Sequence, residues 1–219
     1  MAFKSSRFFF SSVAVSSTLI EPLHTVYPLF RGQLVELPKL LVAAEHVTED
    51  KDTDEDLKLL LAPGSSLGGA RPKASVVEKD GHLAIVKFPR KDDEYNTVLW
   101  EAIALVLAKK PSIVVAEGRI ETVADKPVLL LRRFDRDGHR RIPFLSAMSM
   151  IGSKDNETRS YMELVDALRQ HGAAPEADME ALSRRVVFSV LISNTDDHMR
   201  NHGFLIVLVR TFFPSARPR

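Results

Sequence analysis

The chain has 219 residues, 45% of them hydrophobic and 27% charged, and a net charge of +1. This is the balance of a globular chain with room for one large or two small domains, and it offers no global field to draw in nucleic acid or a membrane. There is no cysteine, so disulfides and thiolate metal sites are excluded and a reducing, cytoplasmic setting is expected.

Residues 1–35 form an unassigned leader. Lys4 and Arg7 precede an apolar, Ser-rich run without acids up to Ile20, a composition that targeting peptides share, although the serines interrupt its apolar part. No apolar run reaches the ~18 residues of a membrane span. Residues 36–46 read as a short helix, with Pro38 suited to its first turn. A run of acids follows from Glu45 to Asp56, and Asp56–Leu61 reads as one more helical turn. Pro63 to Lys73 contains Gly64, Gly68 and Gly69 and is a loop on composition. Ala74–Val77 and His82–Phe88 are apolar strands joined by Lys79-Asp80-Gly81, whose composition suits a hairpin turn. Thr97–Lys109 is a helix apolar around most of its circumference, and it is expected to be largely buried. Val114–Thr122 and Val128–Phe134 form a second hairpin around Asp125-Lys126-Pro127. Glu157–Gln170 is an amphipathic helix stopped by Gly172. Pro175–Ile192 is a longer helix with Leu182, Val186, Val190 and Leu191 on one side, and Phe204–Val209 is a strand. Strands first and helices later point to an α+β, two-lobe, protein-kinase-like arrangement.

Three groups of residues carry chemistry. The glycines let the backbone approach a bulky anion, but the loop is neither a Walker A loop nor the usual kinase glycine loop. Taken alone it is more often a flexible turn. Lys87 sits in an apolar strand, as does the kinase lysine that reaches nucleotide phosphates. On its own it would more often be an outward-facing residue of an alternating strand. Glu101, amid apolar neighbours on the next helix, requires a partner, and Lys87 is the one in position. Asp196 and Asn201 have the spacing of a kinase catalytic loop, in which the Asp receives the substrate hydroxyl proton and the Asn holds magnesium. His198 and Arg200 lie between them, and Arg200 is a candidate to steady the γ-phosphate. Two other readings stay open. Residues 194–197 could be a helix stop followed by a turn, and Asp196, Asp197, His198 and His202 could bind a hydrolytic metal. What favours phosphoryl transfer is the order of the parts: glycine loop, strand lysine, helix glutamate, then Asp-x-x-x-x-Asn.

Four blocks make the pattern more specific. They are Gly64-Ser65-Ser66-Leu67-Gly68-Gly69-Ala70-Arg71-Pro72-Lys73, Val86-Lys87-Phe88-Pro89, Arg133-Phe134-Asp135-Arg136, and Asn194 through His202. Together they resemble the HipA family, the serine/threonine kinases of bacterial toxin–antitoxin systems. The resemblance implies a sheet-rich lobe over 36–136 and a partial helical lobe over 137–219. It implies ATP and Mg²⁺ as cofactors. Ser66, Leu67, Gly68, Gly69, Ala70 and Lys73 would bind phosphate, with Ser66 the autophosphorylated serine. Lys87, paired with Glu101, would reach the nucleotide phosphates, and Arg133 and Phe134 would lie near the adenine hinge. Asp196, His198 and Arg200 would form the catalytic set, and Asn201 would be a metal ligand. The implied partners are a protein substrate, an aminoacyl-tRNA synthetase being the known type, and a small helix-turn-helix antitoxin through which alone DNA would be met. The family also uses a second magnesium-binding Asp downstream, whereas no acid follows Asp197 here. A truncated member with impaired transfer is therefore expected, with a non-catalytic nucleotide- or antitoxin-binding fragment as the alternative.

Overall fold

The computed structural model describes residues 37–60 and 71–205, apart from 79, 139 and 155–156. Helices α1 (Leu37–Thr48) and α2 (Asp54–Leu60) come first, followed by strands β1 (Lys73–Val77) and β2 (Leu83–Lys87) and helix α3 (Thr97–Lys109). Strands β3 (Gly118–Val123), β4 (Lys126–Arg132), β5 (Arg136–Asp137), β6 (Arg140–Arg141) and β7 (Phe144–Ser146) follow. Helices α4 (Ala147–Met150), α5 (Tyr161–His171) and α6 (Pro175–Leu191) lead to β8 (Gly203–Leu205). The leader, the glycine loop with Ser66, Leu67, Gly68, Gly69 and Ala70, and the expected strand beyond Leu205 lie outside the described residues.

The central sheet is antiparallel in the order β1-β2-β4-β3. Its strands alternate, so each residue type is committed to one face. Ala74, Val86, Val128 and Leu130 pack with Leu40, Leu41, Ala44 and Leu60 of α1 and α2. Leu129 and Leu131 turn the other way, onto Val98, Leu105 and Ala108 of α3. Lys87, next to Val86, therefore points to the α3 face, where an isolated alternating strand would have sent it to solvent. A third core joins Ala147, Leu164, Leu168, Leu182 and Phe204. Helix α6 links two of these cores, because Phe188 belongs to the α3 core and Leu182 to the third. The loop that follows α6 is thus anchored from both sides.

Several expectations are corrected. Helix α3 is not largely buried: Trp100 is 59% and Val106 62% exposed. Only the stripe Val98, Leu105 and Ala108 meets the sheet, and much of the remaining apolar surface lines a cleft described below. The second hairpin turns at Ala124-Asp125, both with positive φ (46° and 60°), which is the backbone a tight two-residue turn requires. Pro127 instead pairs with Thr122 inside the ladder. It lies beyond the reach of β2, whose partners on β4 run only from Leu129 to Arg132, so its missing N–H removes no bond on that side. Helix α5 starts at Tyr161 rather than Glu157. Ser160 and Glu163 form a reciprocal capping box there, while Glu157 accepts the Lys154 N–H at 3.1 Å. On α6 the buried residues include Leu182, Arg185, Phe188 and Ser189, whereas Val190 and Leu191 are exposed. Gly172 ends α5 as expected, because a Cβ there would lie 2.5 Å from the Leu168 carbonyl oxygen. Among the described residues, no helix is long and apolar enough to cross a membrane.

Candidate active site

The site begins on the α3 face of the sheet. Lys87 is only 5% exposed, and its ammonium forms an ion pair with Glu101 on the second turn of α3. Lys73 is its cross-strand neighbour in β1 and is likewise buried. Burial first, and then the Lys87 charge, lower the Lys73 pKa, with Glu101 opposing them. Both ammonium groups thus stand on the same face of the sheet as the Glu101 carboxylate. The segment leading into β1 is tied to the start of α3. Arg71 donates to Asp93 at 2.9 Å and to Thr97 at 2.6 Å, and the Arg71 hydrogen bond pulls the Asp93 carboxyl down to about 2.

The second part of the site is the loop after α6. The helix ends with Ser193 in the left-handed region at φ 54°. Ser193 N–H donates to Val190 and Asn194 N–H to Ser189, which is a Schellman motif on a non-glycine residue. The helix stop read from the sequence is real, and it is also what launches the chemical loop. Within the loop, Asp196 is 79% exposed at its side chain, and its backbone N–H donates to Asn194 Oδ1 at 3.2 Å. Asn201 Nδ2 donates to the Asp196 carbonyl at 2.6 Å, and Asn201 N–H to the His198 carbonyl at 2.8 Å. These bonds close Asp196 and Asn201 into one turn. His198 Nε2 stands 3.7 Å from Asp196 Oδ1, and Arg200 is half-buried.

Asp197 points the other way. Its Oδ2 accepts the Tyr161 hydroxyl of α5 at 2.8 Å, and its Oδ1 lies 2.9 Å from Nε2 of His202. His202 is 4% exposed, and its ring meets Tyr161 edge-on at 5.6 Å. Burial raises the Asp197 carboxyl, but His202, Tyr161 and Ser189 together carry it below its ordinary value. Arg185 of α6 is pushed down to about 9 by burial, with the Asp197 charge opposing. It is therefore still a cation at neutral pH, and it also donates to the Val114 carbonyl between α3 and β3.

Between these parts lies a cleft of about 820 Å³. Trp100, Ile103 and Leu107 form its apolar wall, and Glu101, Asp196 and Asn201 are among its polar groups. The structure brings Glu101, Asp196 and Asn201 into one cleft, and Lys87 reaches it through its ion pair with Glu101. Arg133 and Phe134 do not line that cleft: Arg133 grips Asp135 at 2.8 and 2.7 Å, and Phe134 stacks edge-on with Phe144 at 5.6 Å. The sequence pointed to Asp197 as a local cap or salt bridge, which its pair with His202 bears out, but it gave no sign of Asp93, Tyr161 or Arg185. The four candidate ligands of a hydrolytic metal divide into two pairs, and no three His, Cys, Asp or Glu side chains among the described residues converge on a metal position. A magnesium ion bound together with phosphate oxygens asks for less. The Asp196 carboxylate and the Asn201 carboxamide oxygen are hard donors on one cleft wall, and they fit such an ion.

A four-stranded antiparallel sheet followed by helices, with a buried lysine–glutamate pair facing an Asp-to-Asn loop, is the architecture of a protein-kinase-like fold. The profile of the HipA-like C-terminal domain matches residues 65–212, and the chain belongs to that family. A Haemophilus influenzae protein described as a candidate kinase is 23% identical over 164 residues, covering 65% of this chain and 48% of its own length. The crystal structure of the Helicobacter pylori proinflammatory kinase CtkA superposes with a TM-score of 0.56 at 22% identity, covering 68% of this chain and 53% of that one. The chain thus spans about half the length of the relatives it matches.

Proposed function

We propose that this chain is a HipA-type, ATP-dependent serine/threonine-protein kinase that binds ATP with Mg²⁺ in the cleft and acts as the toxin of a cytoplasmic toxin–antitoxin pair. The observation that carries this reading is that Glu101, held by Lys87, shares one cleft with Asp196 and Asn201. Lys87 and Lys73 neutralise nucleotide phosphates from the sheet side. Asp196 takes the proton from a substrate serine hydroxyl, whose oxygen attacks the γ-phosphorus as the bond to the β–γ bridging oxygen breaks and ADP leaves. Arg200 and His198 flank the transferred group. Asn201 would hold magnesium, which supplies charge neutralisation on the phosphates. Ser66 is the proposed autophosphorylated serine. A small helix-turn-helix antitoxin is the proposed restraint and the only link to DNA, and a protein of the aminoacyl-tRNA synthetase type is the proposed target.

Residues 198–219 contain no acid, so within this stretch Asn201 has no second carboxylate to complete a two-metal clamp. The second reading is a non-catalytic fragment that occupies nucleotide or antitoxin. The test is thermal melting with and without ATP·Mg²⁺. At a ligand concentration of about 100 times Kd, binding contributes about 2.7 kcal/mol, or roughly a 5–10 °C rise for a chain of this size. Lys87→Met is expected to abolish the rise, and the same sample given γ-labelled ATP should place little label on Ser66. A melting temperature indifferent to nucleotide would refute the reading.

A further inference from the structure

We propose that Asp197 is a positioning residue: its carboxylate, held by Tyr161 and His202, fixes the loop that presents Asp196 and Asn201 to metal and nucleotide. The inference rests on the proposed nucleotide site and adds to it a brace between that loop and helices α5 and α6. Asp196 and Asp197 are consecutive, yet their side-chain exposures are 79% and 10%. One carboxylate faces the cleft and the other faces the protein. The inward one receives the Tyr161 hydroxyl from α5 at 2.8 Å and approaches His202 Nε2 at 2.9 Å, at the far end of the same loop. Asp197 and His202 therefore pin the loop on both sides of Asn201, while Tyr161 ties that pin to α5. Arg185 of α6 adds a buried positive charge that acts on Asp197. The Asn201-to-Asp196 bond of 2.6 Å closes the exposed side of the turn. A charged hydrogen bond in a water-poor site holds geometry tightly, and ligands for magnesium tolerate little misplacement.

The experiment uses Tyr161→Phe, which removes the hydroxyl and keeps the ring that packs on His202. Asp197→Asn, nearly the same shape without the charge, serves if Tyr161→Phe folds poorly. Two quantities are read. The first is amide hydrogen exchange at residues 196–201 in the ligand-free protein, compared with α6. The second is the affinity for the non-hydrolysable analogue AMP-PNP, with Mg²⁺ and with EDTA, followed by fluorescence of the sole tryptophan, Trp100. Exchange in the loop is expected to speed up at least fivefold while α6 is unchanged. The Mg²⁺-dependent gain in affinity should fall at least fivefold while affinity in EDTA stays within twofold. Unchanged loop exchange, or equal losses of affinity with and without Mg²⁺, would overturn the inference. If wild type binds no analogue while the loop still loosens, the nucleotide reading fails and the bracing of the loop by Asp197 stands.

Discussion

At the scale of the residue, neighbouring groups of the same chemistry are given different tasks by their surroundings. Lys87 and Glu101 were legible in the sequence because each is costly where it stands unless it meets an opposite charge, and strand and helix patterns put both on the same face. The bond from Tyr161 to Asp197 was not legible. It joins positions 36 apart in the chain, and no local pattern encodes which helix face arrives beside which loop. The Arg71–Asp93–Thr97 contact is of the same kind, and it makes a prediction. The Asp93 pKa is lowered in the folded chain to about 2, so its contribution to stability is present above the unfolded value of about 3.9 and is lost as pH falls toward the folded one. Asp93→Asn is expected to cost about 1 kcal/mol at neutral pH, a modest figure because Arg71 is half-exposed. It should also flatten the loss of stability between about pH 4 and pH 2. Urea melts at pH 7 and pH 2 check this, and a variant that loses as much stability at pH 2 as at pH 7 would contradict it.

At the scale of the element, types and order were read more accurately than ends. The alternation of Val86 with Lys87, and of Leu129 and Leu131 with Val128 and Leu130, reports the two faces of the sheet directly. Helix ends were harder because three of them use non-glycine residues in the left-handed region, namely Asp50, Ser112 and Ser193. The lower-numbered turns repeat the pattern seen at Ser193: Lys51 N–H reaches the His46 carbonyl, and Ile113 N–H reaches that of Ala108. A search for glycine stops cannot find such ends. Ser193→Gly removes a left-handed penalty of about 1–2 kcal/mol and adds about 0.5–1 kcal/mol of backbone entropy cost. A net gain of roughly 0.5–1 kcal/mol in chemical denaturation is therefore expected. At the other kind of helix end, Ser160→Ala breaks the capping box of α5 and should cost about 1 kcal/mol, read as a lower denaturation midpoint with unchanged slope.

At the scale of the whole molecule, the two cores on either side of the sheet and the third beneath α6 leave apolar side chains of α3 and α6 open. Trp100, Ile103 and Val106 of α3 and Val187, Val190 and Leu191 of α6 are all exposed among the described residues. Surfaces of this kind bind apolar dyes and promote association. The 219-residue chain should accordingly enhance anilinonaphthalene sulfonate fluorescence in its native state, and a Val190→Asp, Leu191→Asp variant should reduce that signal without lowering secondary structure. The general arrangement of sheet then helices was legible from the sequence. The burial of α3 was not, because apolar residues around a helix specify contact with something, and a cleft wall satisfies the pattern as well as a core does. That cleft carries the central claim. Its most direct test is titration of Trp100 fluorescence with ATP·Mg²⁺ in the wild-type chain, in Lys87→Met and in Asp196→Asn. A saturable change is predicted for wild type and for Asp196→Asn, which keeps the phosphate-side cations, and none for Lys87→Met. Fluorescence that ignores nucleotide, or that responds identically when Lys87 is removed, would contradict the assignment of this cleft to a nucleotide.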